Sequence, residues 1–402
     1  MAGEGPPPRK ARLVLVTSDG SVVGALPPFP VELPWWAEAE SVVRAAREHH
    51  GIEVTVLRLL ATERQMLHGG EVTYLAEVRQ PVAAEPWTGR LEPHPLRQPY
   101  ADPGGPQADL AWAGSVLRSL GMVQGEKPVQ VRTWNLSSVW RIPVEGQTVW
   151  LKVVPPFFTH EPEVIAALAD WPVPRLLGHD GGRMLLAEVA GADMYDADLP
   201  KLLAMVSLLV RMQARWFGRV DQLLRMGLPD WREAGLTAAI AAVVRRTSDE
   251  LAAADAAVLD SFVRDLAVRF AALRSCHLPD TLVHGDFHPG NVRGTGLQLT
   301  LLDWGDSCVG HPLLDQPAFL DRIREEHRQE VAGHWSREWR AVVPDSDPVR
   351  AAALLAPVAA ARQAVIYRRF LDNIEPSEQV YHRHDPADWL TRTAALLRHE
   401  GG

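Results

Sequence analysis

The sequence predicts an α+β protein, in which a small α/β domain precedes a strand-rich lobe and a mostly helical lobe. Three observations support this architecture. A proline-rich polar stretch divides the chain, because proline removes a backbone donor and fixes φ. Short apolar runs separated by turn residues follow it and indicate strands. Farther on, apolar residues recur at helical spacing. We therefore place the small domain at 12–83, the linker at 84–108, the strand-rich lobe at 109–190 and the helical lobe at 191–402.

Composition limits the class of protein. A chain of 402 residues can hold more than one domain, and 47% hydrophobic with 23% charged residues is typical of a soluble globular protein. The net charge of −9 argues against a nucleic-acid partner. The apolar run 13–16 is too short for a signal-peptide core, and no stretch approaches the length of a membrane span. We therefore expect a cytoplasmic protein without a membrane partner, and the oligomeric state stays open.

The leading domain is predicted to combine strands with one helix. Apolar runs at 11–17, 52–60 and 72–78 indicate strands, and residues 36–50 carry apolar side chains at helical spacing. Gly51 follows this helix, at the position where a left-handed C-cap favours glycine.

The strand-rich lobe is expected to open with a helix over 109–120. Three strands follow, at 129–134, 139–144 and 148–154. Lys152 places a single charge inside the apolar third strand, which is costly unless the charge has a partner. The alternative is a lysine on an edge strand that faces water.

Two short polar segments in the helical lobe carry the chemistry. The first reads His284-Gly285-Asp286-Phe287-His288-Pro289-Gly290-Asn291, and the second reads Asp303-Trp304-Gly305 after a strand-like run. Phosphoryl transfer needs one carboxylate beside the attacking hydroxyl and oxygen ligands for magnesium, and the spacing from Asp286 to Asn291 is that of a kinase catalytic loop. A lone acid in a loop is usually solvated, whereas here five polar residues stand at fixed spacing.

These residues resemble the aminoglycoside phosphotransferase and choline kinase superfamily, whose catalytic loop reads His-Gly-Asp-x-His-x-x-Asn. The resemblance covers roughly residues 108–402 and implies a two-lobed protein-kinase-like fold. It implies that Asp286 orients and deprotonates a substrate hydroxyl and that His284 braces the loop. It also implies that Asn291 and Asp303 hold magnesium. Asp306 resembles a position that is often acidic in this family.

The same resemblance assigns contacts with ATP to the strand-rich lobe. Lys152 would hold the nucleotide phosphates, with Glu161 on the next helix as its partner and Glu163 as the backup. Either acid could instead serve only the helix dipole.

Three further positions are candidates for nucleotide binding. Ser137 and Ser138 lie in the predicted turn between strands, where hydroxyl and backbone N–H groups could bind a phosphate. The hinge between the lobes is expected near Glu188, where backbone groups would hold the adenine.

The helix of the leading domain resembles, in part, the metal box of Nudix hydrolases. Arg44, Glu48, Gly51 and Ile52 match that pattern, but its other glutamate positions are substituted. One glutamate is too few for a magnesium cluster. We therefore interpret the leading domain as a structural or docking module, a degenerate Nudix relative without a second active site.

The sequence thus predicts a phosphotransferase that uses ATP and Mg²⁺ to phosphorylate a hydroxyl of a small molecule, an aminoglycoside-like or amino-sugar compound. Two alternatives stay open: a neutral sugar or disaccharide kinase of primary metabolism, and a nucleotide-binding relative without catalysis. Asp193, Asp196 and Asp372 could bind an amino group of the acceptor, although such acids are more often solvated. The acceptor, its reacting hydroxyl and the choice between ATP and GTP stay open.

Overall fold

The computed structural model of the protein describes residues 8–63 and 68–400, which form two compact units. The first unit holds the described residues up to Phe157, with Leu176–Glu188 and Leu371–Arg383. The second unit holds Phe158–Arg175, Val189–Phe370 and the described residues from His384 onward. Strands and helices occur in both units, which confirms the predicted α+β class.

The first unit begins with a mixed sheet and one helix. Its elements are β1 Arg9–Val16, β2 Val22–Ala25, β3 Phe29–Val31, α1 Glu40–His50, β4 Val54–Thr62 and β5 Gly70–Val78. The strand order is β2-β1-β5-β4, with β3 also paired to β1. Strands β1 and β5 are parallel, and the other pairs are antiparallel. Alternate residues of β1 pack against α1, so that Leu13, Val42 and Ala46 are fully buried. Gly51 caps α1 with a φ of 66°, as expected.

Helix α1 begins at Glu40, four residues after its predicted start at Trp36. The cause is a tertiary contact that helical spacing cannot reveal. The buried guanidinium of Arg9 donates to the carbonyl oxygens of Trp35, at 2.6 Å, and of Glu38, at 3.2 Å. Carbonyls bound in this way are held outside the helical hydrogen-bond pattern, so the helix starts after them.

A second sheet follows in the same unit. Its elements are α2 Gly105–Ser119, β6 Val129–Trp134, β7 Ser137–Val144, β8 Gln147–Val153, β9 Leu176–Asp180 and β10 Arg183–Ala187. The strands are antiparallel in the order β6-β7-β8-β10-β9, so β8 is the central strand. Helix α2 packs Ala113 and Leu117 into the core that includes Leu151 and Leu185.

The two sheets of this unit are joined by hydrogen bonds. The buried side-chain amide of Gln130 exchanges two bonds with the backbone of Val56, at 2.9 and 2.7 Å. The backbone of Val131 also accepts the N–H of Ala39 at 3.0 Å. The leading strands and the strands of the predicted strand-rich lobe therefore belong to one packed unit.

The stretch 84–108 is more regular than its proline content predicts. It contains a 3-10 turn at Pro99–Ala101, and α2 already begins at Gly105. Pro106 is tolerated there, because the first turn of a helix has no partner for a backbone N–H. The side chain of Arg97 pairs with the buried Glu375 at 2.8 Å. The stretch is therefore anchored by packing and charge, and it is not merely a spacer.

Glu378 places a buried carboxyl group against the leading sheet. Its Oε1 accepts the backbone N–H of Leu59 at 2.9 Å, and its carbonyl oxygen accepts the side-chain amide of Asn135 at 3.2 Å. Burial raises the pKa of Glu378 to about 8, although the bond from Leu59 opposes this shift. The carboxyl group is therefore protonated in the fold at neutral pH.

We expect Glu378 to make the protein less stable as the pH rises. Its folded-state pKa lies above the ordinary value of 4.5, so its contribution to the free energy of unfolding is fully present below pH 4.5 and is lost as pH rises through about 8. Glu378→Gln keeps an acceptor for Leu59 and cannot ionise, so it should flatten this slope in urea unfolding measured from acid to mildly alkaline pH. The exposed control Glu326→Gln should keep the wild-type slope. A wild-type slope in Glu378→Gln would contradict the prediction.

The second unit is mainly helical. The helices of this part of the chain are α3 Glu161–Ala167, α4 Leu199–Ala214, α5 Val220–Arg225, α6 Glu233–Thr247, α7 Ala253–Arg274, α8 Gln316–Asp321, α9 Glu325–Val342, α10 Pro348–Asp372 and α11 Asp385–Glu400. Its strands are β11 Ala192–Asp193, β12 Thr281–Val283, β13 Val292–Thr295, β14 Gln298–Leu301 and β15 Cys308–Gly310. They form two small antiparallel sheets, β11-β13-β14 and β12-β15.

Helix α10 is long and apolar enough to cross a membrane by length and composition, contrary to the expectation that no stretch approaches that length. Most of its apolar stretch is buried inside the fold, and core helices meet the same criterion. Arg362, in the middle of the helix, is buried and donates to the carbonyl oxygen of Gly285 at 3.3 Å. The helix is therefore weak evidence for a membrane span.

Candidate active site

The predicted catalytic loop, residues 284–291, leaves strand β12 at His284 and ends in a 3-10 turn, Pro289–Asn291. Gly285 has a φ of 91°, a conformation that side chains disfavour. A Cβ atom at this position would lie 2.0 Å from the carbonyl oxygen of Asp306 and 3.0 Å from Nη2 of Arg362. Glycine is therefore required where the loop crosses the segment after Asp303.

His284 ties the catalytic loop to the strand that precedes Asp303. Its ring is fully buried, and its Nε2 lies 3.0 Å from the carbonyl oxygen of Leu302, which can only accept a hydrogen bond. Burial lowers the pKa of His284 to about 4, so the ring is neutral and Nε2 carries the proton. The ring also packs on Trp304 at 4.5 Å. These contacts position the two loops relative to each other.

Asp286 lies at the centre of a small polar network. Its Oδ2 accepts the side-chain amide of Asn291 at 3.0 Å and lies 3.5 Å from Nε2 of His288. Its Oδ1 lies 3.6 Å from Nη1 of Arg322. Burial alone would raise the pKa of Asp286, but the hydrogen bond and charge of His288, with the charge of Arg322, lower it below its ordinary value. The carboxylate is therefore ionised at neutral pH.

Asn291 and Asp303 are brought together by the backbone. The carbonyl oxygen of Asn291 accepts the N–H of Leu302, the residue before Asp303, at 2.8 Å. The amide nitrogen of Asn291 is bound to Asp286, so its amide oxygen is the atom available to a cation. Asp303 is exposed and has a φ of 61°, which is uncommon for a residue other than glycine. Backbone strain of this kind concentrates at functional sites.

Glu161 supports the same turn from helix α3. Its carboxylate is buried, and Oε1 accepts the backbone N–H of Trp304 at 3.2 Å. Pro162 stands in the first turn of α3, where a missing backbone N–H is tolerated. In the second unit Glu161 therefore holds the backbone beside Asp303, a contact that the sequence analysis did not foresee.

Asp315 is a site residue that the sequence analysis missed. It is almost fully buried at the N-terminus of α8, and its two oxygens accept the backbone N–H groups of His284, at 2.9 Å, and Gly285, at 2.7 Å. Gln213 adds a third hydrogen bond at 3.0 Å. Burial raises the pKa of Asp315 to about 6. Asp315 therefore clamps the backbone that carries Asp286.

Arg362 is the second residue that was missed. Its buried guanidinium donates to the carbonyl oxygens of Gly285, at 3.3 Å, and Asp306, at 3.4 Å. One side chain thus joins the catalytic loop to the segment after Asp303. Cys308, which lies beside it, is buried, and burial raises the pKa of its thiol to about 12. A cysteine buried in this way behaves as a small hydrophobic residue.

Lys152, in the first unit, lies on the central strand β8, between Val139 of β7 and Met184 of β10. The alternative of an edge-strand lysine is therefore wrong. Sequence alone could not order the strands, because β9 and β10 come later in the chain.

Ser137 and Ser138 are the first residues of strand β7, and the turn before them is shorter than predicted. Both are buried, and their hydroxyl oxygens accept the indole N–H groups of Trp134, at 3.2 Å, and Trp140, at 3.1 Å. To bind a phosphate, these hydroxyl groups would have to give up their hydrogen bonds with the indole groups. The phosphate-binding role of the two serines therefore stays a prediction. Glu188 is exposed and accepts the indole N–H of Trp150.

The family comparison agrees with this geometry. The model of the phosphotransferase enzyme family, APH, matches residues 15–354, which is most of the chain. The chain therefore belongs to this family, and the resemblance seen in the sequence is confirmed. The protein is an enzyme that transfers a phosphoryl group to a hydroxyl of a small molecule. No curated protein sequence matches the chain.

Three solved structures show the same fold. A macrolide 2'-phosphotransferase type I is 18% identical with a TM-score of 0.50, over 72% of this chain and 97% of its own. An ethanolamine kinase of Plasmodium vivax is 10% identical with a TM-score of 0.51, over 68% and 84%. A choline/ethanolamine kinase family protein of Mesorhizobium loti is 17% identical with a TM-score of 0.50, over 72% and 95%. These matches confirm the protein-kinase-like fold.

Proposed function

We propose that the protein transfers the γ-phosphate of ATP to a hydroxyl group of a small-molecule acceptor. The arrangement around Asp286 carries the proposal. Asn291 and His288 engage Oδ2, whereas the contact of Oδ1 with Arg322, at 3.6 Å, is looser. The carboxylate is ionised and about one-third exposed. It can therefore accept a hydrogen bond from an incoming hydroxyl through Oδ1.

In the proposed reaction, the acceptor hydroxyl donates to Oδ1 of Asp286 and its oxygen attacks the γ-phosphorus of ATP. The bond from that phosphorus to the ADP oxygen breaks, and the hydroxyl proton passes to Asp286. The lowered pKa makes Asp286 a weak base, so its main contribution is to orient the hydroxyl while the proton moves late.

The residues present fit a magnesium ion. The available amide oxygen of Asn291 and the exposed carboxylate of Asp303 are hard oxygen ligands of the kind that magnesium prefers. Within 8–63 and 68–400, no group of three or more His, Cys, Asp or Glu side chains could hold a metal ion by itself. Substrate phosphates would therefore complete its ligand set, and bound magnesium would neutralise their charge.

The nucleotide contacts are proposed from the family resemblance. Lys152 would bind the phosphates, with Glu161 as its partner, and Glu188 would lie near the adenine. Lys152 lies on a central strand of the sheet and not on an edge, which is consistent with this role. The phosphate-binding role of Ser137 and Ser138 is the least supported of these assignments.

We propose an aminoglycoside-like or amino-sugar compound as the acceptor. Around the partly buried Tyr367, burial and the carboxylates of Asp385, Asp286 and Asp306 raise the pKa of the phenol against the charge of Arg322, which places three negative charges around one side chain. Such charges favour a molecule that carries amino groups. No observation on the described residues favours the alternative of a neutral sugar kinase.

A screen of acceptors tests the proposed function. We expect a product heavier by one phosphoryl group when the protein is incubated with ATP, magnesium and a panel of aminoglycosides, amino sugars and amino alcohols. Mass spectrometry should detect this product only with magnesium present, because phosphate charge must be neutralised. Omitting the acceptor and chelating the metal are the controls. Bound ATP without a product from any acceptor would contradict the proposal and favour a binding protein without catalysis.

A further inference from the structure

One face of helix α8 contacts the catalytic loop three times. Asp315, Phe319 and Arg322 follow one another at helical spacing. Asp315 binds the backbone of His284 and Gly285. The ring of Phe319 stacks on that of Phe287, with 4.9 Å between centroids and 13° between planes. Arg322, directly after the last residue of α8, reaches the carboxylate of Asp286. The position of the guanidinium is therefore linked to the catalytic loop by two rigid contacts.

The contacts of Asp286 show where an acceptor must approach. Oδ2 is bound by Asn291 at 3.0 Å and lies near His288, so both of its lone pairs have a partner. Oδ1 faces Arg322 at 3.6 Å, which is longer than a hydrogen bond and leaves room for another donor. A hydroxyl that donates to Oδ1 therefore lies beside the guanidinium. The substituents next to that hydroxyl meet the charge of Arg322.

The charge of Arg322 is directed at Asp286. The neighbouring carboxylate of Asp321 is bound to Arg392 at 2.6 Å, and Glu326 is paired with Arg324 at 4.0 Å. A guanidinium stays protonated at every pH at which the protein is folded. It presents five donors, which suit oxygen lone pairs and anions and repel a second cation.

We infer that Arg322 determines which hydroxyl of the acceptor reacts: one whose neighbouring substituent is an oxygen or an anionic group, and not one beside an ammonium group. The inference rests on the proposed function and refines it. Any ammonium group of the acceptor would be attached away from the reacting hydroxyl, and Asp306 and Asp385, which with Asp286 raise the pKa of Tyr367, are carboxylates that can attract it. Arg322 is thus a specificity-determining residue for the transfer.

A binding experiment tests this inference without turnover. Two small probes carry a hydroxyl next to opposite charges: glycolate, with a carboxylate, and ethanolamine, with an ammonium. In protein with ¹³C-labelled aspartate carboxyl groups, the Asp286 resonance is assigned by its loss in Asp286→Asn. We expect glycolate to shift this resonance at a concentration on the order of tenfold lower than ethanolamine, because the guanidinium of Arg322, 3.6 Å from Oδ1, attracts the carboxylate of glycolate and repels the ammonium of ethanolamine.

Variants separate the charge of Arg322 from its packing. Arg322→Gln should abolish the preference for glycolate, and Arg322→Lys should retain it, because lysine keeps the charge. The control Arg324→Gln removes an exposed guanidinium two residues away and should behave as wild type. Equal response to the two probes in wild type, including no response to either, would overturn the inference. A preference that survives in Arg322→Gln would also overturn it.

The acceptor screen extends the test to turnover. For any amino sugar that is phosphorylated, we expect the phosphate on a hydroxyl flanked by oxygen substituents. In Arg322→Gln, kcat/KM for hydroxyls beside an ammonium should rise on the order of tenfold. A wild-type kcat/KM for hydroxyls beside an ammonium that equals or exceeds the value for hydroxyls flanked by oxygen would overturn the inference. If the preference for glycolate holds but no acceptor yields a product, the proposed function fails, and only the effect of Arg322 on hydroxyl binding at Asp286 stands.

Discussion

Asp286→Asn is expected to remove nearly all phosphoryl transfer while the protein stays folded. Asparagine has the same shape, but it can neither take up the hydroxyl proton nor attract the hydroxyl with a full charge. Losses of this kind are on the order of a hundredfold or more in kcat. The guanidinium of Arg322, which loses its partner, is itself exposed, so the variant leaves no buried unpaired guanidinium behind. Product formation by mass spectrometry, with ATP binding measured in parallel, gives both quantities.

The design of this experiment separates chemistry from folding. Asp265→Asn changes an exposed carboxylate on helix α7 and should keep the wild-type rate. ATP affinity in Asp286→Asn should stay close to that of wild type, because Asp286 is assigned to the acceptor. An unchanged rate in Asp286→Asn would remove this residue from the mechanism. Since its pKa is lowered, the wild-type rate should not fall from protonation of Asp286 at mildly acid pH.

The residues that sequence alone could identify are those that act within a short segment. Asp286 and Asn291 are five residues apart, and the turn between them forces their side chains together. Asp303 follows a strand that pairs with β13, directly after Asn291, so its proximity follows from local hairpin geometry. In such cases the spacing, the residue types and the local structure all indicate the same site, so the sequence alone can predict which side chains lie together.

The residues that sequence missed act across long distances along the chain. Asp315 clamps His284 and Gly285 from 30 or more positions away, and Arg362 reaches Gly285 from 77 positions away. Each lies in an ordinary apolar or helical context. In the sequence, each of these residues is noticeable only as an ionisable side chain among apolar ones. Such a side chain needs a partner when it is buried, but a single sequence does not show which residue that partner is.

The predicted boundaries of helices and strands that were wrong also depend on contacts between residues far apart in the chain. Arg9 delays the start of helix α1 through carbonyl groups that lie more than twenty residues away in the chain. The indole groups of Trp134 and Trp140 engage the serines at the start of β7. Composition and periodicity describe each segment by itself, whereas these features depend on which segments meet.

Asp315→Ala is expected to cause the largest loss of stability. The substitution leaves the buried N–H groups of His284 and Gly285 without their acceptor, whereas the side-chain amide of Gln213 keeps its hydrogen bond to the carbonyl oxygen of Pro312 at 3.3 Å. Each unsatisfied donor costs about 1–3 kcal/mol, so the free energy of unfolding should fall by about 2–6 kcal/mol. Removing a carboxylate whose burial is itself unfavourable offsets part of this loss. Urea unfolding measures the net effect.

Two further variants show whether the loss of stability comes from the hydrogen bonds of the Asp315 carboxylate or from the packing of its side chain. Asp315→Asn keeps the shape and one acceptor but turns an NH₂ group toward backbone donors, so its stability should lie between wild type and Asp315→Ala. Asp321→Ala, at the other end of α8, removes an exposed ion pair and should cost less than about 1 kcal/mol. Amide hydrogen exchange at His284 and Gly285 should accelerate in Asp315→Ala beyond the change in global stability, because the clamp acts on these two groups directly. Equal stability of Asp315→Asn and wild type, with unchanged exchange at both amides, would mean that other contacts hold the catalytic loop in place.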